Sequence, residues 1–306
     1  MTDNQTNTYH TAVLLNECLE GLNINPEGIY VDLTFGGGGH SRAILDKLGE
    51  NGQLFAFDKD KDALNNAIDD SRFCLINDDY GNMTKQLRLY RITQVDGILA
   101  DLGISSHQID TSERGFSFRS DAPLDLRMDT DSTLTAADII NSYTEQQLAK
   151  LFFTYAEIPN AKQVARMICK KREEQYIATT FELCQAIRTL TKPNVENKFF
   201  AKIFQALRIE VNDELSSLDS MLMQCEGMLK PDGRLAVISY HSLEDKKVKE
   251  LIRSGNTSGK IEKDFFGNVN TPYISVTRKP ITPSQDEILR NSRSRSAKLR
   301  IAQKKG

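Results

Sequence analysis

The stretch that most limits the possible folds lies near the front of the chain: Ile29-Tyr-Val-Asp-Leu-Thr-Phe-Gly-Gly-Gly-Gly-His-Ser-Arg-Ala-Ile-Leu45. Its first residues are β-branched and aromatic, the pattern of a buried strand. Four glycines, Gly36 to Gly39, follow, and then Ile44, Leu45 and Leu48 recur at helical spacing. A strand passing through a glycine loop into a helix brings backbone close to a ligand, and the helix start offers N–H groups to a polar or anionic group. The alternation continues. Residues 53–58, 72–77 and Val95–Asp101 read as strands, with helices at 59–68 and 83–90 between them. Strand and helix in turn over the first hundred residues imply a parallel, doubly wound α/β sheet.

The second strand ends in Asp58, 19 residues after Gly39, where a ribose-binding acid is expected. A carboxylate there accepts bonds from both ribose hydroxyls, which points to an adenosine-containing ligand. The glycines read Asp32-x-x-x-Gly36-x-Gly38-Gly39-His40 rather than G-x-G-x-x-G. That spacing favours S-adenosylmethionine over a dinucleotide, while a glycine-rich turn with no ligand stays open. Three strand ends carry candidates: the glycine loop, Asp58 and Asp101. Tyr80 follows the third strand and could stack on an adenine ring or be a half-buried surface tyrosine. Asp101 faces the same crevice or caps a turn. His40 caps or orients the helix start.

Composition narrows the class. A hydrophobic content of 39% and a charged content of 26% describe a soluble globular chain. No apolar run is long enough to span a membrane, and the polar start lacks a signal-peptide pattern, so a frayed tail and a cytoplasmic setting are expected. Cys18, Cys74, Cys169, Cys184 and Cys225 show no Cys-x-x-Cys spacing and read as buried reduced thiols. His10, His40, His107 and His241 show no metal-ligand spacing, and no metal is expected. Charge is uneven: residues 1–150 hold 24 acids and 12 Lys+Arg, the remainder 18 acids and 27 Lys+Arg. The asymmetry suggests a polyanion partner for one face, or a solvated basic tail.

From Gly103 to about Phe200 no buried strand is legible. Residues 102–108 and 114–119 read as loop, and helices follow at 135–141, 144–154, 160–174 and 180–191. This implies a mainly helical insertion at 104–202 that splits the sheet domain into 1–103 and 203–306. A helix from 201 runs towards Leu229, then Lys230-Pro-Asp-Gly233 is a turn. Strands are expected at 234–240, 274–277 and 298–302, with helices at 241–252 and 283–290, the latter with Ser284 and Glu287 as a capping box. A seven-stranded sheet ending in a hairpin-like pair matches a methyltransferase better than a dehydrogenase.

Eight ordered blocks carry a more specific signal. They are His10-Thr-Ala-Val-Leu-Leu15, Asp32-Leu-Thr-Phe-Gly-Gly-Gly-Gly-His-Ser41, Asp101-Leu-Gly-Ile-Ser-Ser-His-Gln108, Glu113-Arg-Gly-Phe-Ser-Phe118, Leu124-Asp-Leu-Arg-Met-Asp129, Phe204-Gln-Ala-Leu-Arg-Ile-Glu-Val-Asn-Asp-Glu-Leu215, Ile238-Ser-Tyr-His-Ser-Leu-Glu-Asp245 and Arg295-Ser-Ala-Lys-Leu-Arg300. With them the chain resembles the MraW-type ribosomal RNA small subunit methyltransferase H family over nearly its full length. The resemblance implies a Rossmann-like S-adenosylmethionine-dependent methyltransferase sheet with an inserted substrate-recognition domain. It also implies methylation at N4 of a decoding-centre cytidine in 16S-type RNA, as free RNA or in the small subunit. Cofactor contacts carried over by motif are Gly38, Gly39, His40, Asp58, Tyr80, Asp101 and Gln108.

Tyr80 stands where the family often has Phe, and His107 where Pro is common. The segments at 194–199 and 155–159 also depart from the family pattern, which touches helical-domain detail rather than activity. Asp101, Ser105, Ser106 or a carbonyl of their loop would position the amine and accept its proton. Arg114, Arg119 and Arg127 could meet RNA phosphates, and Phe116 or Phe118 could stack on a flipped base or pack into the core. Lys162, Arg166, Lys170 and Lys171 fall near one helix face. With the basic C-terminal segment they are expected to contact phosphates, unless the face is merely solvated. Transfer to DNA or protein, and a cofactor-binding ribosome-assembly factor without transfer, are the rival readings. The oligomeric state, a homodimer included, is open.

Overall fold

The computed structural model describes residues 12–306. The polar tail and the His10 end of the first block lie outside the described residues. Two compact units are present: one runs to Gly103 and resumes at Ser216–Gly306, and the other is Ile104–Leu215.

The first unit is built on one sheet. Its strands are β1 (Ile29–Asp32), β2 (Gln53–Phe57), β3 (Phe73–Ile76), β4 (Val95–Asp101), β5 (Leu229–Ser239), β6 (Tyr273–Ser275) and β7 (Lys298–Lys304). They lie in the order β3-β2-β1-β4-β5-β7-β6. The first five in that order are parallel, and β7 runs antiparallel between β5 and β6. β1, β2 and β4 are buried along nearly all their length, as a sheet covered on both faces requires. The chain steps outward from β1 to β2 and β3, then returns to place β4 on the other side. The crevice beyond the carboxyl ends of β1 and β4 is therefore the switch point where such sheets bind ligands.

Helix Leu15–Leu22 lays Cys18 and Leu22 on this sheet beside Tyr30, Ile44, Leu99 and Ile301. A Cβ on Gly97 would lie 2.8 Å from the Tyr30 ring, so the ring crosses β4 only because residue 97 has no side chain. The turn expected at 230–233 becomes a bulge inside β5 instead of a stop before it. Val95 pairs with Leu229 and Gly97 with Arg234, so the residues between fall out of register, with Asp232 at φ 63°. Between β2 and β3 the expected helix shrinks to a 3-10 segment, Lys61–Asn66, capped by the Asp60 side chain.

The second unit packs helices Ser106–Asp110, Ala136–Ser142, Glu145–Tyr155, Ala161–Glu174, Thr180–Ile187 and Glu196–Val211. Thr135, Thr144 and Thr179 each start a helix with a reciprocal capping box, which satisfies N–H groups that would otherwise go unpaired. Ile139, Leu148, Phe152, Val164, Ile168 and Leu207 form its centre.

The boundary expected at 202 moves to 215. Residues 201–229 are two helices, Glu196–Val211 and Glu214–Met228, rather than one. Asn212 ends the first: its Nδ2 donates to the Arg208 and Leu126 carbonyls at 2.9 and 2.8 Å, and its Oδ1 accepts Met128 N–H at 2.7 Å. Phe200, Ile203, Phe204 and Leu207 of that helix belong to the core of the second unit. The basic C-terminal segment is likewise not a free tail. Residues 298–304 are β7, with Arg300 on Asp245 at 2.7 Å and Lys304 Nζ donating to the Glu226 and Leu229 carbonyls at 2.7 Å. Cys18, Cys184 and Cys225 are buried thiols as expected, but Cys74 and Cys169 are only half-buried.

Candidate active site

The glycine loop leaves β1 under firm control. Asp32, the last residue of β1, accepts Ser41 Oγ at 2.7 Å and Thr34 N–H at 3.1 Å. It is wholly buried, and these bonds staple the two ends of the loop together. Gly38 sits at φ 75°, where a side chain is strained, and a Cβ there would lie 2.5 Å from the Arg42 guanidinium. Gly39 opens helix Gly39–Leu45, and next to Gly37 a Cβ would meet nothing within 4 Å. The loop is thus tight on one side and open on the other, which suits close approach of a ligand.

Asp58 stands one residue past β2. Its Oδ2 accepts Gly36 N–H at 2.8 Å and its Oδ1 accepts Asp60 N–H at 2.9 Å. Each oxygen holds one backbone donor, and a carboxylate oxygen has a second lone pair to offer. Burial pushes this carboxyl up to about 6, against the pull of those two N–H groups. Tyr80 opens a single 3-10 turn after β3, half-buried, with Asp79 accepting Gly81 N–H at 2.7 Å. Lys59 pairs with Asp79 at 3.2 Å.

Asp101 closes β4. Thr34 Oγ1 accepts its backbone N–H at 2.6 Å, and the Tyr240 hydroxyl donates to its Oδ1 at 2.8 Å. His40 Nδ1 lies 3.9 Å from its Oδ2, and the Asp101 side chain keeps 22% exposure, enough for a ligand to reach. Burial pushes this carboxyl, too, up to about 6, while His40 and the Tyr240 hydroxyl pull it down. His40 is buried, with Nε2 3.0 Å from the Val13 carbonyl. A carbonyl only accepts, so Nε2 carries the proton.

The remaining candidates lie in the second unit. Ser105 is the N-cap of helix Ser106–Asp110: its Oγ accepts Gln108 N–H at 3.2 Å, and Gln108 Oε1 accepts Ser105 N–H at 3.1 Å. Sequence reading took this segment for loop, although Ser105-x-x-Gln108 is itself a capping-box signature. Ser106 is half-buried at the helix start, and Gln108 is buried.

Four of the residues expected to contact RNA have structural partners within the helical unit. Arg127 grips Asp125 through Nε and Nη2 at 2.8 and 2.6 Å and reaches the Thr130 and Ser132 carbonyls at 3.1 and 2.5 Å. Phe116 is buried in the helical core. Phe118, partly buried, packs on Phe200 and Phe204 with ring centres 5.9 and 5.6 Å apart, as the core-packing alternative expects. Arg114 Nη2 donates to the Arg127 and Met128 carbonyls at 3.0 and 2.9 Å. Arg119 is exposed. Lys162, Arg166 and Lys170 are exposed on helix Ala161–Glu174, opposite its buried Ala161, Val164, Ala165 and Ile168, and Lys171 pairs with Glu174 at 2.9 Å.

Asp32, Thr34 and Tyr240 complete the site without having been singled out in the sequence. Tyr240 was detectable by position, since it follows β5 as Asp101 ends β4. The side chains at the carboxyl ends of β1, β2 and β4 are mostly acids. The nearby cations Lys59 and Arg42 are spent on Asp79 and on the Gly37 and Asn66 carbonyls. Such a crevice repels a pyrophosphate and suits a ligand with hydroxyls and positive charge.

The family model described as "MraW methylase family" matches residues 7–305. Proteins named "Ribosomal RNA small subunit methyltransferase H" are similar over nearly the whole chain. That of Bacteroides fragilis is 52% identical over 97% of this chain and 98% of its own length. That of Bacteroides thetaiotaomicron is 53% identical over the same shares. That of Cytophaga hutchinsonii is 53% identical over 97% of this chain and 99% of its own.

Proposed function

Because the chain belongs to the MraW methylase family, we propose that it transfers the methyl group of S-adenosylmethionine to N4 of a decoding-centre cytidine in small-subunit ribosomal RNA. The observation that carries the reading is the acid-lined switch point: Asp58 at the end of β2 and Asp101 at the end of β4, either side of the glycine loop. The donor set fits this cofactor. Asp58 is held by two backbone N–H groups and keeps lone pairs for two ribose hydroxyls. Gly38 and Gly39 admit the backbone approach, Tyr80 offers an aromatic face, and the carboxylates suit a sulfonium and an ammonium. Asp101, His40 and Gln108 complete the proposed cofactor set.

The bound cofactor supplies an already activated methyl group. The protein's task is then orientation and proton handling. The lone pair of a cytosine amine is delocalised into the ring, so the amine must be turned towards the methyl and relieved of a proton. Asp101 provides an accessible carboxylate for that proton. Ser105 uses an acceptor lone pair on Gln108 N–H and keeps its hydroxyl hydrogen to donate, which suits it to orient a base rather than to take its proton. Ser106 is the adjacent candidate. The helical unit, with exposed Arg119, Lys162, Arg166 and Lys170, is proposed to hold RNA by its phosphates.

Incubating the purified protein with methyl-labelled cofactor and, separately, small subunits, naked small-subunit RNA, DNA and protein tests the reading. Label in RNA cytidine supports it. Label confined to DNA or protein, or cofactor binding without transfer to any substrate, rejects it.

A further inference from the structure

Tyr240 does more than fill space beside Asp101. In the sheet Asp101 pairs with Ile238, and Leu102 N–H donates to the Ile238 carbonyl at 3.0 Å, so the chain leaving β5 runs alongside the end of β4. Glu244 Oε2 accepts the Tyr240 backbone N–H at 2.8 Å, which anchors the residue to the first turn of helix Ser242–Ser254. Gly103, at φ 101°, lies beside the ring: a Cβ there would be 3.6 Å from it, in ordinary contact. From this fixed base the hydroxyl reaches Asp101 Oδ1 at 2.8 Å. The phenol can only be the donor: burial, then the Asp101 charge, keep it protonated far above its ordinary range.

The other carboxylate oxygen is treated differently. With the Val13 carbonyl accepting the Nε2 proton of His40, the ring turns Nδ1 towards Oδ2, 3.9 Å away and beyond hydrogen-bond reach. No hydrogen-bond donor among the described residues reaches Oδ2. One oxygen is thus occupied and the other left open on a side chain that solvent can reach.

We infer that Tyr240 is a positioning residue for the reaction, holding the Asp101 carboxylate so that Oδ2 alone is presented as the proton acceptor. The inference rests on the methyl transfer proposed above. In that step the N4–CH3 bond forms as the S–CH3 bond breaks, the sulfonium becomes a thioether, and the surplus amine proton passes to Oδ2 and then to water. The groups facing Asp101 are Asp32 from β1, Cys18 and His40 from two helices, and Tyr240 and Glu244 beyond β5. Asp32 and Glu244 make the charged carboxylate harder to hold. The Tyr240 hydrogen bond and His40 are what keep it available near neutral pH.

Tyr240→Phe keeps the ring against Gly103 and removes only the donor. Label transfer into small subunits is measured from roughly pH 5.5 to 9, with cofactor affinity by calorimetry and melting temperature to verify folding. The acidic limb of kcat should move up by about one pH unit, with kcat recovering at high pH and cofactor affinity within about twofold of the unmodified protein. A uniform fall in kcat at every pH, or a profile superimposable on the unmodified one, overturns the inference. Absence of transfer by the unmodified protein overturns the functional reading, and the inference with it.

Discussion

Asp58 is tied to Gly36: its Oδ2 accepts the Gly36 N–H at 2.8 Å, so the acid that ends β2 also fixes the loop that leaves β1. The same side chain sets the cradle and supplies the acceptor for a ribose. Asp58→Ala should weaken S-adenosylmethionine binding by about 1–3 kcal/mol, the cost of leaving polar groups unpaired. The binding should also depend on pH. Burial raises this carboxyl to about 6, and only the carboxylate accepts from two hydroxyls, so affinity should be full above that value and fall as pH drops through it. The fall is at most about tenfold per pH unit. Calorimetry across that window, on both proteins, measures it; a flat profile in the unmodified protein removes the ribose-acid role.

Asp101 is held as an acid at a cost to the fold. Its carboxyl titrates near 6 rather than at the ordinary value, so between those points the native state binds the extra proton. Stability attributable to this group is therefore lost as pH rises through the window, and the loss is complete above about 6. Asp101→Asn keeps an oxygen for the Tyr240 hydroxyl and puts an uncharged amide towards the His40 ring. It should be more stable than the unmodified protein above that pH by about 1–2 kcal/mol and equal to it near pH 4. Denaturant melts at both pH values compare the two, and the variant should transfer no methyl groups. A variant less stable at neutral pH would show that the ionised acid is a net support to the fold.

Lys170 and Lys171 test how RNA is held. Lys170 is exposed and Lys171 pairs with Glu174 at 2.9 Å on the surface of a helix whose opposite face is buried. Replacing both by Ala should weaken small-subunit binding and flatten its dependence on salt by about one to two counterions. Cofactor affinity should not change. Binding measured at several salt concentrations decides; parallel curves would mean a solvated face.

Much of the architecture was legible because local and tertiary preferences agree. β4 occupies the residues its apolar run marks, Val95–Asp101, since a strand buried on both faces has little freedom in where it starts and stops. Legibility failed where one side chain chose a distant partner. The Ser284-x-x-Glu287 box is half used: Ser284 Oγ accepts Glu287 N–H at 3.2 Å, but Glu287 Oε1 accepts Leu14 N–H at 2.8 Å, across 273 residues. Asn212 ends a helix through contacts with residues 126 and 128, which no local pattern announces. In the site, the strand-end acids Asp58 and Asp101 were readable from position. The Tyr240 bond to Asp101 was not, because it depends on β5 pairing with β4. The RNA-contact candidates were the least readable, since Arg and Phe serve packing and capping as readily as phosphates and bases.

The central claim is methyl transfer to a cytidine of small-subunit RNA, and nucleoside mass spectrometry of that RNA tests it most directly. RNA is taken from cells with the gene, without it, and without it but carrying either the unmodified chain or Asp101→Ala. N4-methylation at a decoding-centre cytidine should be present with the gene, absent without it, restored by the unmodified chain and not restored by the variant. An unchanged methylation pattern in cells lacking the gene would contradict the account.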